Sequence, residues 1–173
     1  AERLRRTISV RLRQMMRRNR SRVDYQREFR RMIDAYNQGS LNVGTFFSEL
    51  LDLVQRLAEE EKRHIRESLS EEELAIFDIL TRPGPDLSED EEQQLKEIAR
   101  DLLAKLKDEL LALDWQKRQR YRAAVRVAIG DMLYERLPEG YSAELCDQKR
   151  DDVYSHVYRN YVGAGESVYA QRS

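Results

Sequence analysis

Apolar residues recur every three to four positions along almost the whole chain, as on one face of an α-helix, and nowhere show the alternation of a strand. Leu4, Ile8, Leu12 and Met15 mark a first amphipathic helix surrounded by arginine. The stretch NRSR interrupts it, and Ser21 with Asp24 three residues on predicts a capping-box-like start for a second helix burying Phe29, Ile33 and Tyr36. Gly39 in NQGS suits the position just past a helix end. Asn42 is the predicted cap of a long third helix with Phe46, Leu50, Val54 and Leu57 on its face, and Phe47 and Leu51 beside it. Ser70 with Glu73 and Ser88 with Glu91 are capping-box pairs on either side of TRPGPDL, where two prolines and a glycine forbid continuous helix. The second pair opens a helix through Leu95, Ile98, Leu102, Leu106 and Leu110. Asp114 is expected to cap the next helix, which Pro138 and Gly140 close. Ser142 caps a final one, with Cys146, Val153 and Val157 on one side and Tyr154, Tyr158 and Tyr161 flanking. VGAGESVYAQRS reads as a frayed tail. The expected fold is all-α, an irregular bundle of about six to seven amphipathic helices.

Residues 114–133, DWQKRQRYRAAVRVAIGDML, hold the single Trp and a dense set of positive charges. At about 100° per residue, Tyr121, Ala124, Val125, Ala128, Ile129 and Met132 gather into one core stripe. Arg118, Arg122 and Arg126 follow at four-residue spacing and form a ladder along one border, near Trp115 and Leu133. Arg120 lies nearly opposite the core. Such a ladder pairs with carboxylates of a neighbouring helix or subunit, or tracks phosphates, and three rungs alone give only a weak salt-dependent DNA contact.

Composition narrows this picture. At 173 residues with 40% hydrophobic content the chain fits one domain, long enough to bury a real core. The 36% charged residues suit helices with exposed faces, and no long apolar run spans a membrane. There is no signal-peptide pattern, and a start at Ala1 is expected of an excised domain. The single Cys146 makes no internal disulfide and fits a reducing cytoplasm. Net charge is −1, yet residues 1–31 hold twelve Arg and no Lys against three acids, so this end is +9 and the remainder −10. A nucleic-acid-facing end and two mutually neutralising halves both produce that asymmetry. Arginine alone leans toward bidentate phosphate or carboxylate partners. Arg11, Arg13, Arg17 and Arg18 join the ladder as candidate partner or DNA contacts.

Catalytic patterns are mostly missing. Seven scattered glycines make no phosphate loop, and two His with one Cys cannot supply a Cys/His zinc set. A di-iron bundle needs two Glu-x-x-His pairs; Glu61 with His64 is one, but Val153 precedes His156 at the second. Glu61 and His64 read either as a helix end overhanging the core or as a partner contact. Pro85–Asp86 and Asp147-Gln-Lys149 match a nuclease pattern as letters, but fall in helices or their connection rather than on adjacent strands. Neither His has a Ser or Cys in a sharp-turn context. Cys146 is expected to be an inert buried thiol, and the tyrosines a core margin, with base stacking as the alternative.

Four stretches in order, NRSRVDYQREFRRMIDAYNQGSL, LSEEELAIFDILTRP, LLALDWQKRQRYRAAVRVAIGDMLYERLP and YSAELCDQKRDDVYSHVYRNY, resemble the C-terminal part of type I restriction enzyme R subunits. Together they span about residues 19–162; Arg20 stands where that pattern has proline. The resemblance implies a parent that is an ATP-dependent motor and site-specific deoxyribonuclease, with a nuclease domain, two RecA-like helicase domains and then helical domains. It implies that this segment is a non-catalytic assembly module with no cofactor of its own, ATP and Mg2+ belonging to the parent. Its implied partners are the methyltransferase and specificity subunits, with DNA reachable through the basic N-terminal helix. The expected organisation is a basic linking helix at 1–20, an assembly domain at 21–162 and a tail at 163–173, all cytoplasmic.

Overall fold

The computed structural model describes residues 2–112, 114–163 and 166–169. Eight α-helices lie among them: α1 (Glu2–Arg18), α2 (Val23–Asn37), α3 (Val43–Glu61), α4 (Arg63–Arg66), α5 (Glu71–Thr81), α6 (Glu89–Lys105), α7 (Gln119–Arg136) and α8 (Ala143–Asn160). The fold class is all-α, as the periodicity indicates. Four helix starts follow the sequence: Asn42 accepts from the Thr45 N–H, Ser142 from that of Leu145, and Ser70 and Ser88 each close a full capping box. Such caps satisfy amide groups that have no partner inside the helix, each stabilising by about 1 kcal/mol. Gly39 follows α2 with φ +77°, a conformation in which a Cβ is strained.

Other local expectations are corrected. Ser21 and Asp24 do not cap α2. Instead Asn19 accepts from the Ser21 N–H and Oγ and opens a 3-10 turn, Arg20–Arg22, that runs into the helix. Asp114 does not cap α7 either: it sits at φ 61°, a second 3-10 turn follows at Trp115–Lys117, and α7 starts only at Gln119. The helix through Leu110 changes after Lys105 into a π-helical turn, Leu106–Leu110.

Contacts divide the chain into two compact units, Ala1–Ser68 and Leu69–Ser173. In the first, α1 contributes Ile8, Leu12 and Met15 to one core with Phe29 and Met32 of α2 and Phe46, Leu50, Leu53 and Leu57 of α3. Tyr36 stacks on Phe46 with centroids 4.4 Å apart. The first helix is thus part of a folded unit with α2 and α3. Phe47 and Leu51, expected beside the core, are exposed, because α1 and α2 cover the opposite side of α3. The unit also buries charge: Glu60 accepts from Arg22 Nε at 3.0 Å and from Arg63 Nε at 3.0 Å. An isolated buried carboxylate is costly, and sharing it between two guanidinia offsets that cost.

In the second unit, Leu74, Ile76 and Leu80 of α5 pack with Leu95, Ile98 and Leu102 of α6, Val125, Ile129 and Leu133 of α7, and Val153 and Val157 of α8. Gly130 lies where a Cβ would stand 3.1 Å from the Arg150 side chain, so its lack of a side chain lets α7 and α8 approach. Lys149 Nζ donates to the Ile79 carbonyl at 2.7 Å, and the Tyr141 hydroxyl to that of Leu80 at 2.7 Å. Trp115 is fully buried and donates from Nε1 to the Tyr161 carbonyl at 2.9 Å. Where a frayed tail is expected, β1 (Tyr161–Gly163) pairs antiparallel with β2 (Glu166–Ser167). Residues 164, 165 and 170–173 of that tail lie outside the described residues.

Candidate functional site

Of the arginine ladder, Arg122 and Arg126 lie on α7 beside α8 while Arg118 is the extended residue just before that helix, and the three rungs have different fates. Arg126 pairs with Asp151 of α8 at 2.9 Å. Arg122 donates to the Gln116 carbonyl at 2.5 Å, while the Gln116 amide donates to the carbonyls of Tyr158 and Tyr161. Arg118 stands over the Tyr121 ring, 5.6 Å from its centroid. Intramolecular pairing with a carboxylate therefore holds for Arg126. The ion pair is half-exposed on both sides, so it contributes at most about 1 kcal/mol.

Beyond the ladder, Tyr154 and Tyr158 of α8 rest edge-on against Trp115 at 6.3 and 5.9 Å. With Ser155 and Arg159 they line a shallow depression of about 290 Å³. Val127 and Tyr134 of α7, Tyr158, and Val162 of β1 are large apolar or aromatic side chains left in solvent. Arginines and exposed tyrosines on a rigid helix pair form the surface type that protein interfaces favour. The tyrosine spacing was visible in the sequence; the exposure of Val127 and Tyr134 was not, because it depends on where α8 packs.

The N-terminal candidates separate as well. Arg11 makes a two-toothed contact with Glu61 at the end of α3, at 2.8 and 2.9 Å, which pulls the Glu61 carboxyl below its usual range. Glu61 is thus occupied within its own unit. Lys62 separates α3 from α4, so Glu61 and His64 no longer lie on one continuous helix. Arg13 and Arg17 are exposed on α1 and Arg18 is half-buried. The first unit carries +6 and the second −7, so the charge asymmetry follows the structural division.

Cys146 is buried as expected, whereas His156, Lys149 and Tyr141 are buried polar groups without a sequence signal. His156 is buried beside the edge of Tyr161 and its Nδ1 meets the Asn160 amide at 3.0 Å; burial lowers its pKa to about 4. Burial lowers the Lys149 pKa and raises that of the Cys146 thiol, making the latter a poor nucleophile, and pushes Tyr141 up to about 12. Asp86 lies in the loop before α6 and Lys149 on α8, so the nuclease-like letters are not on paired strands. Among the described residues no three His, Cys, Asp or Glu gather as a metal-binding group, and no helix is long and apolar enough to cross a membrane.

The molecule is thus a helical module whose distinguishing surfaces are arginine-bearing helix faces. It belongs to the family described as type I restriction enzyme HindI endonuclease subunit-like, C-terminal, whose model matches residues 1–160. It is similar to the "Putative type I restriction enzyme MjaIXP endonuclease subunit" of Methanocaldococcus jannaschii, 24% identical over 133 residues. That match covers 76% of this chain and 12% of the relative, so the chain spans a small part of that protein's length. No solved structure matches.

Proposed function

We propose that this chain is a non-catalytic C-terminal module of a type I restriction-modification R subunit, and that it docks the motor onto the methyltransferase–specificity core. In this reading ATP, Mg2+, DNA translocation and cleavage belong to the rest of a cytoplasmic parent subunit, and residues 1–20 connect to its preceding domain. The observation that carries the proposal is the α7–α8 surface. Val127 and Tyr134 of α7 and Tyr158 of α8 are exposed on the helix pair that also carries Arg122 and Arg126, and Trp115 packs edge-on against Tyr158. Aromatic side chains have few rotamers to lose on binding, and the planar arginine fork makes paired hydrogen bonds, so both anchor interfaces efficiently. Asp151 pairs with both Arg126 and Arg150, and an acid seated on this face favours a protein partner over a phosphate backbone at this place.

Co-purification of the chain with the purified methyltransferase–specificity complex tests this. The chain is expected to be retained, and the triple change Arg118→Glu, Arg122→Glu, Arg126→Glu to reduce retention while keeping its thermal transition. Failure of the unaltered chain to bind the complex would overturn the docking role. Loss of the transition in the triple variant would make the ladder structural.

A further inference from the structure

The first unit contains a second surface that the docking reading does not use. A groove of about 360 Å³ runs along the seam of α1 and α2, lined by Arg5, Arg6 and Arg30 with Ser9 and Gln26, over a floor of Leu12, Phe29 and Ile33. Glu2 supplies the one acid among the described lining residues. That carboxylate is shared by Arg5 at 3.7 Å and Arg6 at 3.6 Å, both beyond hydrogen-bond distance, and it is itself mostly exposed. Three guanidinia against one loosely held carboxylate leave the groove at +2.

We infer that Arg5, Arg6 and Arg30 of this groove each take a phosphate of a nucleic-acid backbone, and that the face of α1 and α2 around it is a duplex-DNA contact. Four features support this. The guanidinium fork matches phosphate in a two-toothed geometry, and Ser9 and Gln26 can donate further hydrogen bonds. The apolar floor lowers the local dielectric and strengthens attraction for an anion at the rim. The charge continues past the groove, because the exposed Arg13 follows Arg6 on the same side of α1, about 10 Å further along the axis. A row of positive charge extending beyond one pocket suits a polymer with a repeating charge better than a single carboxylate. Finally, of the acids of α2, Asp24 holds Arg27 and Glu28 holds Arg56 of α3, while Asp34, one turn beyond Arg30, is outside the described lining of the groove.

The test is fluorescence anisotropy of a labelled duplex DNA with the whole chain across a salt series. Three phosphate contacts give a slope of log K against log salt of about −2.7, so a fourfold rise in salt weakens binding about 40-fold. The change Arg5→Ala, Arg6→Ala, Arg30→Ala is expected to remove about two to three from that slope, whereas Arg66→Ala on α4 leaves it unchanged. Circular dichroism melts of both variants establish that they fold. Absence of DNA binding at low salt overturns the inference, and so does a groove variant that binds like the unaltered chain. Displacement of DNA by polyglutamate at lower charge concentration than by unlabelled DNA also overturns it, in favour of an acidic protein partner. None of these outcomes depends on the methyltransferase–specificity complex, so the docking reading stands or falls separately.

Discussion

Protonation of His156 should destabilise the fold between pH 7 and 5, above the range in which the carboxylates titrate. Its ring is buried in the second unit, and its Nε2 has no hydrogen-bond partner. The Asn160 amide nitrogen donates toward Nδ1 at 3.0 Å and also to the His156 carbonyl at 2.8 Å. The neutral ring therefore carries its proton on Nε2, and a second proton on Nδ1 would face a donor. Desolvation lowers the folded pKa from 6.5 to about 4. Above pH 6.5 both states are neutral and the fold has its full stability. As pH falls below 6.5 the unfolded chain takes up a proton that the fold refuses, so stability is lost progressively down to about pH 4. The full effect is about 3 kcal/mol, with roughly half of it developed by about pH 5. Urea unfolding followed through Trp115 fluorescence at pH 7, 6 and 5 measures it, and His156→Leu is expected to flatten that dependence. An equal pH dependence in the variant would refute the reasoning.

Two glutamates one residue apart should differ strongly. Glu60→Ala leaves Arg22 and Arg63 buried without their shared carboxylate and is expected to cost about 3 kcal/mol or more in urea unfolding, whereas Glu61→Ala, at a half-exposed pair, costs about 1 kcal/mol or less. Equal losses would contradict the assignment of burial. Glu61 and Glu28 have folded pKa values lowered by hydrogen bonds from Arg11 and Arg56, so their contribution is present above the usual value of 4.5 and is lost as pH falls through the lower folded values. Acid titration of stability should therefore steepen below about pH 4.5, and Arg11→Ala with Arg56→Ala should reduce that steepening. Trp115→Phe removes the donor to Tyr161 and the support of Tyr154 and Tyr158, and is expected to cost about 2 kcal/mol in the same unfolding assay.

Helix identity and caps were legible because they depend on neighbours three or four residues away. Ser70 with Glu73 and Ser88 with Glu91 needed nothing from the rest of the molecule. Placement between helices was less accessible. Leu133 projects near the arginine border of α7 yet is fully buried, because α8 covers that side, as the Arg126–Asp151 pair and the close approach at Gly130 show. Trp115 projects onto the same wheel as α7, but the turn before Gln119 takes it off that helix and into the core. The Arg22–Glu60 pair and Lys149 were invisible for a related reason: their partners are a carboxylate and a carbonyl tens of residues away. Of the candidate arginines, the sequence indicated which helices carry them but not that Arg11 and Arg126 would meet Glu61 and Asp151. It also gave no sign that Arg5, Arg6 and Arg30 would line one groove.

The docking role is tested most directly by sedimentation velocity of the labelled chain with and without the methyltransferase–specificity complex. The account predicts that the chain co-sediments with the complex at physiological salt and that Arg118→Glu, Arg122→Glu, Arg126→Glu shifts it back to the free species. A chain that sediments alone at every concentration of the complex would contradict it.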